Sequence, residues 1–210
     1  MPKIYDITRT VTPTIAVWPG DGPMAYSWTA KKVDGSSVNL ARVEMSCHTG
    51  THMDATYHYD DNGVHPAAMP LENYIGPAYV ATISRETGGI TPDDLPDDLP
   101  HTLERFLIHS RYSDLADDVF DETFPYPTVE LIDWLATRGC RLLGVDMPSV
   151  DAFDSTDLPV HHRLKHHSIP NLEILTLKGV PDGEYELIAL PLKLDHVCGG
   201  PVRAILRELN

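Results

Sequence analysis

The sequence has no hydrophobic run long enough to cross a membrane, although 42% of its 210 residues are hydrophobic. A membrane-spanning helix needs roughly 20 consecutive apolar residues. The longest apolar stretches, such as 187–192, are short and interrupted by proline. The first ten residues, MPKIYDITRT, also lack the apolar core of a secretory signal peptide. We therefore predict a cytoplasmic protein without a membrane partner.

Cysteine is scarce as well. The three cysteines, Cys47, Cys140 and Cys198, are odd in number, widely spaced and never arranged as C-x-x-C. Disulfide frameworks and cysteine zinc sites both depend on paired cysteines at short, characteristic spacings. The sequence therefore predicts neither kind of cross-link.

Basic residues are few, with 16 lysines and arginines against 31 acidic residues and a net charge of -15. A surface of this charge repels the phosphate groups of nucleic acids and of anionic lipids. Nucleic acid is therefore excluded as a first candidate for a partner.

Several common catalytic motifs are missing. The sequence contains no G-x-S-x-G elbow, no G-x-x-x-x-G-K-[ST] phosphate loop, no H-E-x-x-H motif and no G-x-G-x-x-G turn. Their absence argues against a serine esterase and against a nucleotide-dependent enzyme.

The periodicity of apolar residues predicts a mixture of strands and helices. Segment 38–48 alternates between apolar and polar residues, as a half-buried strand does. Segment 128–138 predicts a helix, because Thr128 is a good N-cap and Gly139 follows the last turn. Shorter strands are predicted at 80–84, 103–109, 141–146 and 184–193, and segment 202–209 fits a strand or a helix.

The length and the absence of internal repeats predict one domain over residues 1–210. The mixture of elements predicts an α/β or α+β fold, with a mixed β-sheet flanked by helices.

Four polar residues within a short segment suggest a metal site. His48, His52, Asp54 and His58 share one sequence parity, so they would lie on the polar face of strand 38–48 if that strand continued. Imidazole and carboxylate groups are suitable ligands for zinc, manganese or iron. The alternative interpretation is a solvated polar loop.

A second histidine-rich stretch covers residues 155–173. A short helix is predicted at 159–167, capped by Ser155 or Asp157. On that helix His162 and His166 are neighbours, whereas His161 faces elsewhere. Glu173 follows the helix. An exposed, titratable helix is the alternative, and the spacing does not show that the two stretches meet.

The first stretch, HTGTHMDATYH at 48–58, resembles the H-x-G-[TA]-H-x-D-x-P-x-H signature of the cyclase superfamily of metal-dependent enzymes. Within that superfamily the chain looks most similar to the bacterial kynurenine formamidases, and the resemblance runs nearly end to end. The supporting segments are DI at 6–7 with VWPGD at 17–21, GVDMPSVD at 144–151, His161 with Glu173, and YELIALPLK at 185–193 with PVRA at 201–204.

The resemblance implies the cyclase-like swivelling β/β/α fold and a homodimer or a larger homo-oligomer. The implied activity is metal-dependent hydrolysis of N-formyl-L-kynurenine to L-kynurenine and formate, a step of tryptophan degradation. The implied partner is therefore a small aromatic formamide. Two alternatives stay open: a related hydrolase that acts on a cyclic amide, a lactone or an isatin-like substrate, and a metal-binding protein without turnover.

The resemblance also implies two divalent metal ions per chain, usually Zn²⁺, with Mn²⁺ as the alternative. Carried over to this sequence, His48, His52 and Asp54 would hold one ion, and Asp54 would also reach the second. His161 would bind the second ion, and Glu173 would bridge or complete both sites.

Two further roles and two departures follow from the same resemblance. His58 would be the acid/base residue, and Trp18 would line the pocket against the aromatic part of the substrate. Thr56 stands where the family usually has proline, which would relax the turn that aims His58. Thr156 stands where a lysine is usual, so a positive charge near the pocket is lost.

Overall fold

Thirteen strands and two α-helices form the regular structure in the computed structural model, which describes residues 2–209. The strands are β1 (Ile4–Asp6), β2 (Ala25–Ala30), β3 (Leu40–Glu44), β4 (His52–Asp54), β5 (Ile75–Thr82), β6 (Gly88–Ile90), β7 (Phe106–His109), β8 (Pro125–Pro127), β9 (Leu143–Val145), β10 (Asn171–Glu173), β11 (Gly183–Ile188), β12 (Gly199–Pro201) and β13 (Ile205–Glu208). The helices are α1 (Val129–Thr137) and α2 (Pro159–His166).

Nine of the strands form one mixed sheet in the order β1-β13-β11-β5-β7-β9-β10-β4-β12. The four central strands, from β5 to β10, run parallel, and the strands on either side pair antiparallel. An isolated bridge joins Thr8, just beyond β1, to Leu175, just beyond β10. The sheet therefore curls, so that the chain after β1, at one edge, meets the chain after β10, near the opposite edge.

The sheet separates two hydrophobic clusters because successive side chains of a strand point to opposite faces. In β7, Phe106 and Ile108 pack with the two helices, whereas Leu107 packs inside the curl. In β4, Met53 is fully buried inside the curl. Its neighbours His52 and Asp54 consequently face the other side of the sheet.

Helix α1 confirms the prediction for 128–138. The Thr128 side chain accepts a hydrogen bond from the backbone N–H of Leu131 at 3.2 Å. Gly139 has a φ of 78°, the left-handed conformation in which glycine ends many helices. The mixed sheet with flanking helices confirms the predicted α/β class.

The prediction of one half-buried strand through 38–48 was wrong. Strand β3 ends at Glu44, pairs only with β2, and is exposed along its whole length. The chain then turns through Gly50, whose φ of 67° breaks the extended conformation, and a new strand begins at His52. His48 therefore lies in a turn and not on the polar face of the preceding strand. The ambiguous segment 202–209 contains a strand, β13.

Both helices are short, at nine and eight residues. Between residues 2 and 209 no helix combines the length and the apolar character that crossing a membrane requires.

Candidate active site

Neighbouring strands bring His52, Asp54 and Glu173 together. Strand β4 lies between β10 and β12, and His52 is paired with Glu173 in the antiparallel ladder. His52 and Asp54 are two residues apart, so both side chains leave the same face of β4. The prediction that His52 and Asp54 share one face is therefore correct. They lie on the separate strand β4 and not on a continuation of β3.

His161 reaches the same face from α2. The side chain is buried, whereas His162 and His166 are exposed on other sides of the helix. This orientation agrees with the prediction that His161 faces away from His162 and His166. The predicted caps were wrong, because the carboxylate of Asp151 accepts the backbone N–H groups of Val160 and His161 at 2.9 and 3.1 Å.

The carboxylate of Asp54 lies between two groups of side chains. Its Oδ1 is 2.9 Å from His48 Nδ1 and 3.4 Å from His52 Nε2. Its Oδ2 is 3.3 Å from His161 Nε2. Glu173 approaches both groups, with 3.6 Å from Oε2 to His52 Nε2 and 3.7 Å from Oε1 to His161 Nε2. The structure therefore brings together all five side chains that the sequence suggested as ligands.

Two of the histidines are oriented by hydrogen bonds from outside the cluster. His52 Nδ1 is 2.9 Å from the carbonyl oxygen of Gly50, which can only accept, so Nδ1 carries the proton. His161 Nδ1 donates in the same way to Asp151 Oδ2 at 2.7 Å. Each ring therefore presents Nε2 to the cluster. Metal-binding histidines typically donate their other ring N–H to a carbonyl oxygen or a carboxylate in this way.

The cluster fits divalent metal ions. His52 Nε2 and Asp54 Oδ1 are buried and have no hydrogen-bond partner of acceptable geometry. Buried polar atoms are rarely left unpaired, and here several lone pairs face one another at 2.9 to 3.7 Å. Protons or cations must separate them. The donor atoms form two groups that share Asp54, one with His48 and His52 and one with His161 and Glu173.

The ionisation of these groups reflects their crowding. Burial alone would raise the pKa of Asp54, but the neighbouring histidines hold that pKa well below its usual value. Burial and the Asp54 carboxylate raise the pKa of Glu173. Burial alone would lower the pKa of His161, but Asp151, Asp54 and Glu173 raise it to about 10. Metal binding requires the deprotonated ligands, so an ion would displace these protons.

Two residues of the site were missed by sequence analysis. Asn171 donates from Nδ2 to Asp54 Oδ2 at 2.7 Å and to Glu173 Oε1 at 3.1 Å. Its position two residues before Glu173 on β10 was a usable signal, since both side chains leave one face. Asp151 is the second residue, and no spacing in the sequence links it to His161.

The cluster forms the floor of a cavity of about 440 Å³. Trp18 lies on the wall of this cavity and packs against Phe153 and Phe120, with ring centroids 5.1 and 5.6 Å apart. Cavities of roughly 300–1,000 Å³ accommodate small organic ligands. The space is therefore sufficient for an aryl ring beside Trp18. No lysine or arginine is found among the residues between 2 and 209 that line it.

His58 also lines the cavity, with its ring centroid 4.1 Å from that of His48 and 6.2 Å from that of His161. The low-dielectric protein around the cavity lowers the pKa of His58, although the ring itself is open to solvent. His58 is therefore neutral near pH 7. A neutral imidazole can accept a proton.

The turn that carries His58 is not relaxed by the absence of proline. Thr56 Oγ1 accepts the backbone N–H of Val64 at 2.8 Å, and Val64 O accepts that of Tyr57 at 3.2 Å. Gly63 permits this closure, because a Cβ there would lie 2.3 Å from the backbone of Thr56. Thr156 is exposed, and its hydroxyl contacts Asp157.

Comparison with known proteins places the chain in a family. The family model described as "Putative cyclase" matches residues 5–152. The chain is 42% identical to a kynurenine formamidase of Salinibacter ruber over 98% of this chain and 97% of that protein.

Solved structures share the fold. One described as a potential metal-dependent hydrolase with cyclase activity has a TM-score of 0.85 and 26% identity, over 100% of both chains. Isatin hydrolase A of Labrenzia aggregata has a TM-score of 0.83 at 24% identity, covering 100% of this chain and 94% of that one, and this likeness concerns the fold alone. The chain is a hydrolytic enzyme and belongs to the cyclase family.

Proposed function

We propose that this enzyme hydrolyses N-formyl-L-kynurenine to L-kynurenine and formate, with two divalent metal ions bound at the cavity floor. The observation that carries the proposal is the pair of ligand groups that share Asp54 beneath an aromatic wall. The names of the relatives, kynurenine formamidases at 38–42% identity, support this substrate. The reaction would serve tryptophan degradation in the cytoplasm.

His48, His52 and Asp54 would hold one ion, and Asp54, His161 and Glu173 the other. Zinc is the first candidate and manganese the second, because both accept imidazole and carboxylate ligands. When bound, such ions lower the pKa of water from 15.7 toward roughly 7 and polarise a carbonyl oxygen. Asn171 would keep the carboxylates of Asp54 and Glu173 oriented by its two hydrogen bonds.

The remaining steps would fall to residues of the cavity wall. Trp18 would stack on the aryl ring and direct the formamide toward the floor. His58 would take a proton from the attacking water and return it to the aryl nitrogen as the bond between carbon and nitrogen breaks. The products are then formate and a free arylamine.

One observation favours the second candidate, a related hydrolase for an uncharged cyclic amide such as isatin. Among the described residues, the cavity wall offers no lysine or arginine to pair with the carboxylate of an amino-acid substrate. Several solved structures of similar fold are isatin hydrolases.

The substrate is tested by measuring formate release from N-formyl-L-kynurenine, with isatin opening assayed in parallel on the same preparation. We expect formate release that is lost on chelation and restored by zinc or manganese. The reason is that hydrolysis would require metal ions bound to the imidazole and carboxylate groups of the cluster. Isatin opening without formate release would select the second candidate. Metal-loaded protein that converts neither compound would contradict the hydrolytic role of the site.

Replacement of His58 separates proton transfer from metal binding. We expect His58→Ala to retain the metal content of the unmodified enzyme and to lose about 10²- to 10⁴-fold in kcat, the usual effect of removing a general acid/base. The exposed His101 provides the control, since His101→Ala should leave kcat unchanged. Full turnover by metal-loaded His58→Ala would exclude the proposed role.

A homodimer is supported by the hairpin of β2 and β3. Tyr26, Trp28, Ala41 and Val43 occupy one face of it, because Tyr26 pairs with Val43 and Trp28 with Ala41. Trp28 is 47% exposed and Val43 54%. A two-stranded hairpin is marginally stable alone, and a contiguous exposed apolar face marks an interaction site. We propose that a second copy of the chain covers this face.

The oligomer is tested by light scattering coupled to size-exclusion chromatography. We expect a dimer or larger assembly for the unmodified chain, and a monomer for the double variant Trp28→Ser, Val43→Ser, because the apolar face is removed. Leu71→Ser, at an equally exposed leucine outside the hairpin, should keep the assembly. An unmodified chain that is monomeric would refute the dimer.

A further inference from the structure

In each of the three histidines of the cluster, one ring nitrogen points toward the other ligands. The second ring nitrogen contacts a group that is not part of the cluster. For His52 the outer partner is a carbonyl oxygen, and for His161 it is the carboxylate of Asp151. For His48 the outer contact is with sulfur, because Nε2 lies 3.2 Å from Cys198 Sγ. Cys198 is therefore the outer partner of His48.

We propose that Cys198 and Gly199 position His48 for metal binding, an inference that rests on the proposed metal-dependent function. In the metal-binding tautomer His48 would carry its proton on Nε2 and donate it to Cys198 Sγ, which leaves the lone pair of Nδ1 free for the ion. That nitrogen lies 2.9 Å from Asp54 Oδ1. The unpartnered, buried atoms His52 Nε2 and Asp54 Oδ1 mark the place toward which it is directed.

The backbone around Cys198 is held by β4 itself. Strand β12 pairs with β4, with Gly199 opposite Asp54. The carbonyl oxygen of Cys198 accepts the backbone N–H of Ala55 at 3.0 Å. The same strand that presents Asp54 therefore fixes the position of Cys198.

Gly199 provides the space in which the ring of His48 lies. A Cβ at Gly199 would lie 2.8 Å from His48 Cε1 and 2.9 Å from the carbonyl oxygen of Met53. Contacts under 3.0 Å require one of the groups to move. Any side chain at Gly199 would therefore displace either the imidazole of His48 or the β12 strand.

Cys198 Sγ also lies close enough to His48 and His58 to share an ion with them, but its 3.2 Å contact with His48 Nε2 assigns it a role through His48. Partners of this kind orient the ligand and fix its tautomer, and their loss typically weakens metal affinity by about 10- to 100-fold. Serine retains a hydrogen-bond acceptor at the same position, whereas alanine does not. The two replacements therefore separate the hydrogen bond from the volume of the side chain.

The test is the affinity of the full-length, metal-stripped protein for cobalt(II) and zinc, measured by competition with a chromophoric chelator. We expect Cys198→Ala to weaken the affinity by about 10- to 100-fold. Cys198→Ser should recover part of this loss, and Cys47→Ala, at the neighbouring thiol, should bind as the unmodified chain does. The cobalt spectrum should contain no thiolate-to-metal charge-transfer band.

Equal affinity of the unmodified chain and Cys198→Ala would overturn the proposal, as would an equal loss in Cys198→Ala, Cys198→Ser and Cys47→Ala. A charge-transfer band that disappears in Cys198→Ala would overturn it too, because Cys198 would then be a direct ligand. Circular dichroism of each variant verifies its fold. Failure of the unmodified chain to bind either ion would instead contradict the proposed function.

Discussion

The site depends on one buried carboxylate. Asp54 is almost completely inaccessible to solvent, and its two oxygens face different groups of ligands, with His48 and His52 on one side and His161 on the other. A buried charge of this kind is tolerated only where counter-charges and hydrogen bonds surround it. The neighbouring histidines and Asn171 supply those contacts, and cations in both groups would complete the neutralisation.

The curled sheet determines which residues reach Asp54. Strand β4 lies between β10 and β12, so its two neighbours deliver Glu173 on one side and the Cys198–Gly199 segment on the other. Helix α2 packs on the same face and contributes His161. Strands and a helix therefore present His52, Asp54, Glu173 and His161, whereas His48, His58 and Trp18 come from turns and loops at the cavity.

Local patterns in the sequence predicted most of the side chains that meet in the cluster, but not the paths by which they meet. The i, i+2 spacing of His52 and Asp54 correctly put both on one face, and the bounds of α1 followed from Thr128 and Gly139. His48 has the same parity but lies in a turn, because Gly50 interrupts the extended chain. Parity alone cannot reveal such a break. The contacts of Asp151 with His161 and of Cys198 with His48 depend on tertiary packing, which no local pattern encodes.

The most direct test of the account is metal content by mass spectrometry of the unmodified chain, Asp54→Asn and His161→Ala. We predict two ions per unmodified chain, one in His161→Ala, and a loss of both in Asp54→Asn, because a neutral amide cannot bridge two cations. Circular dichroism would confirm that each variant is folded. Two ions retained by folded Asp54→Asn would contradict the central place of this carboxylate.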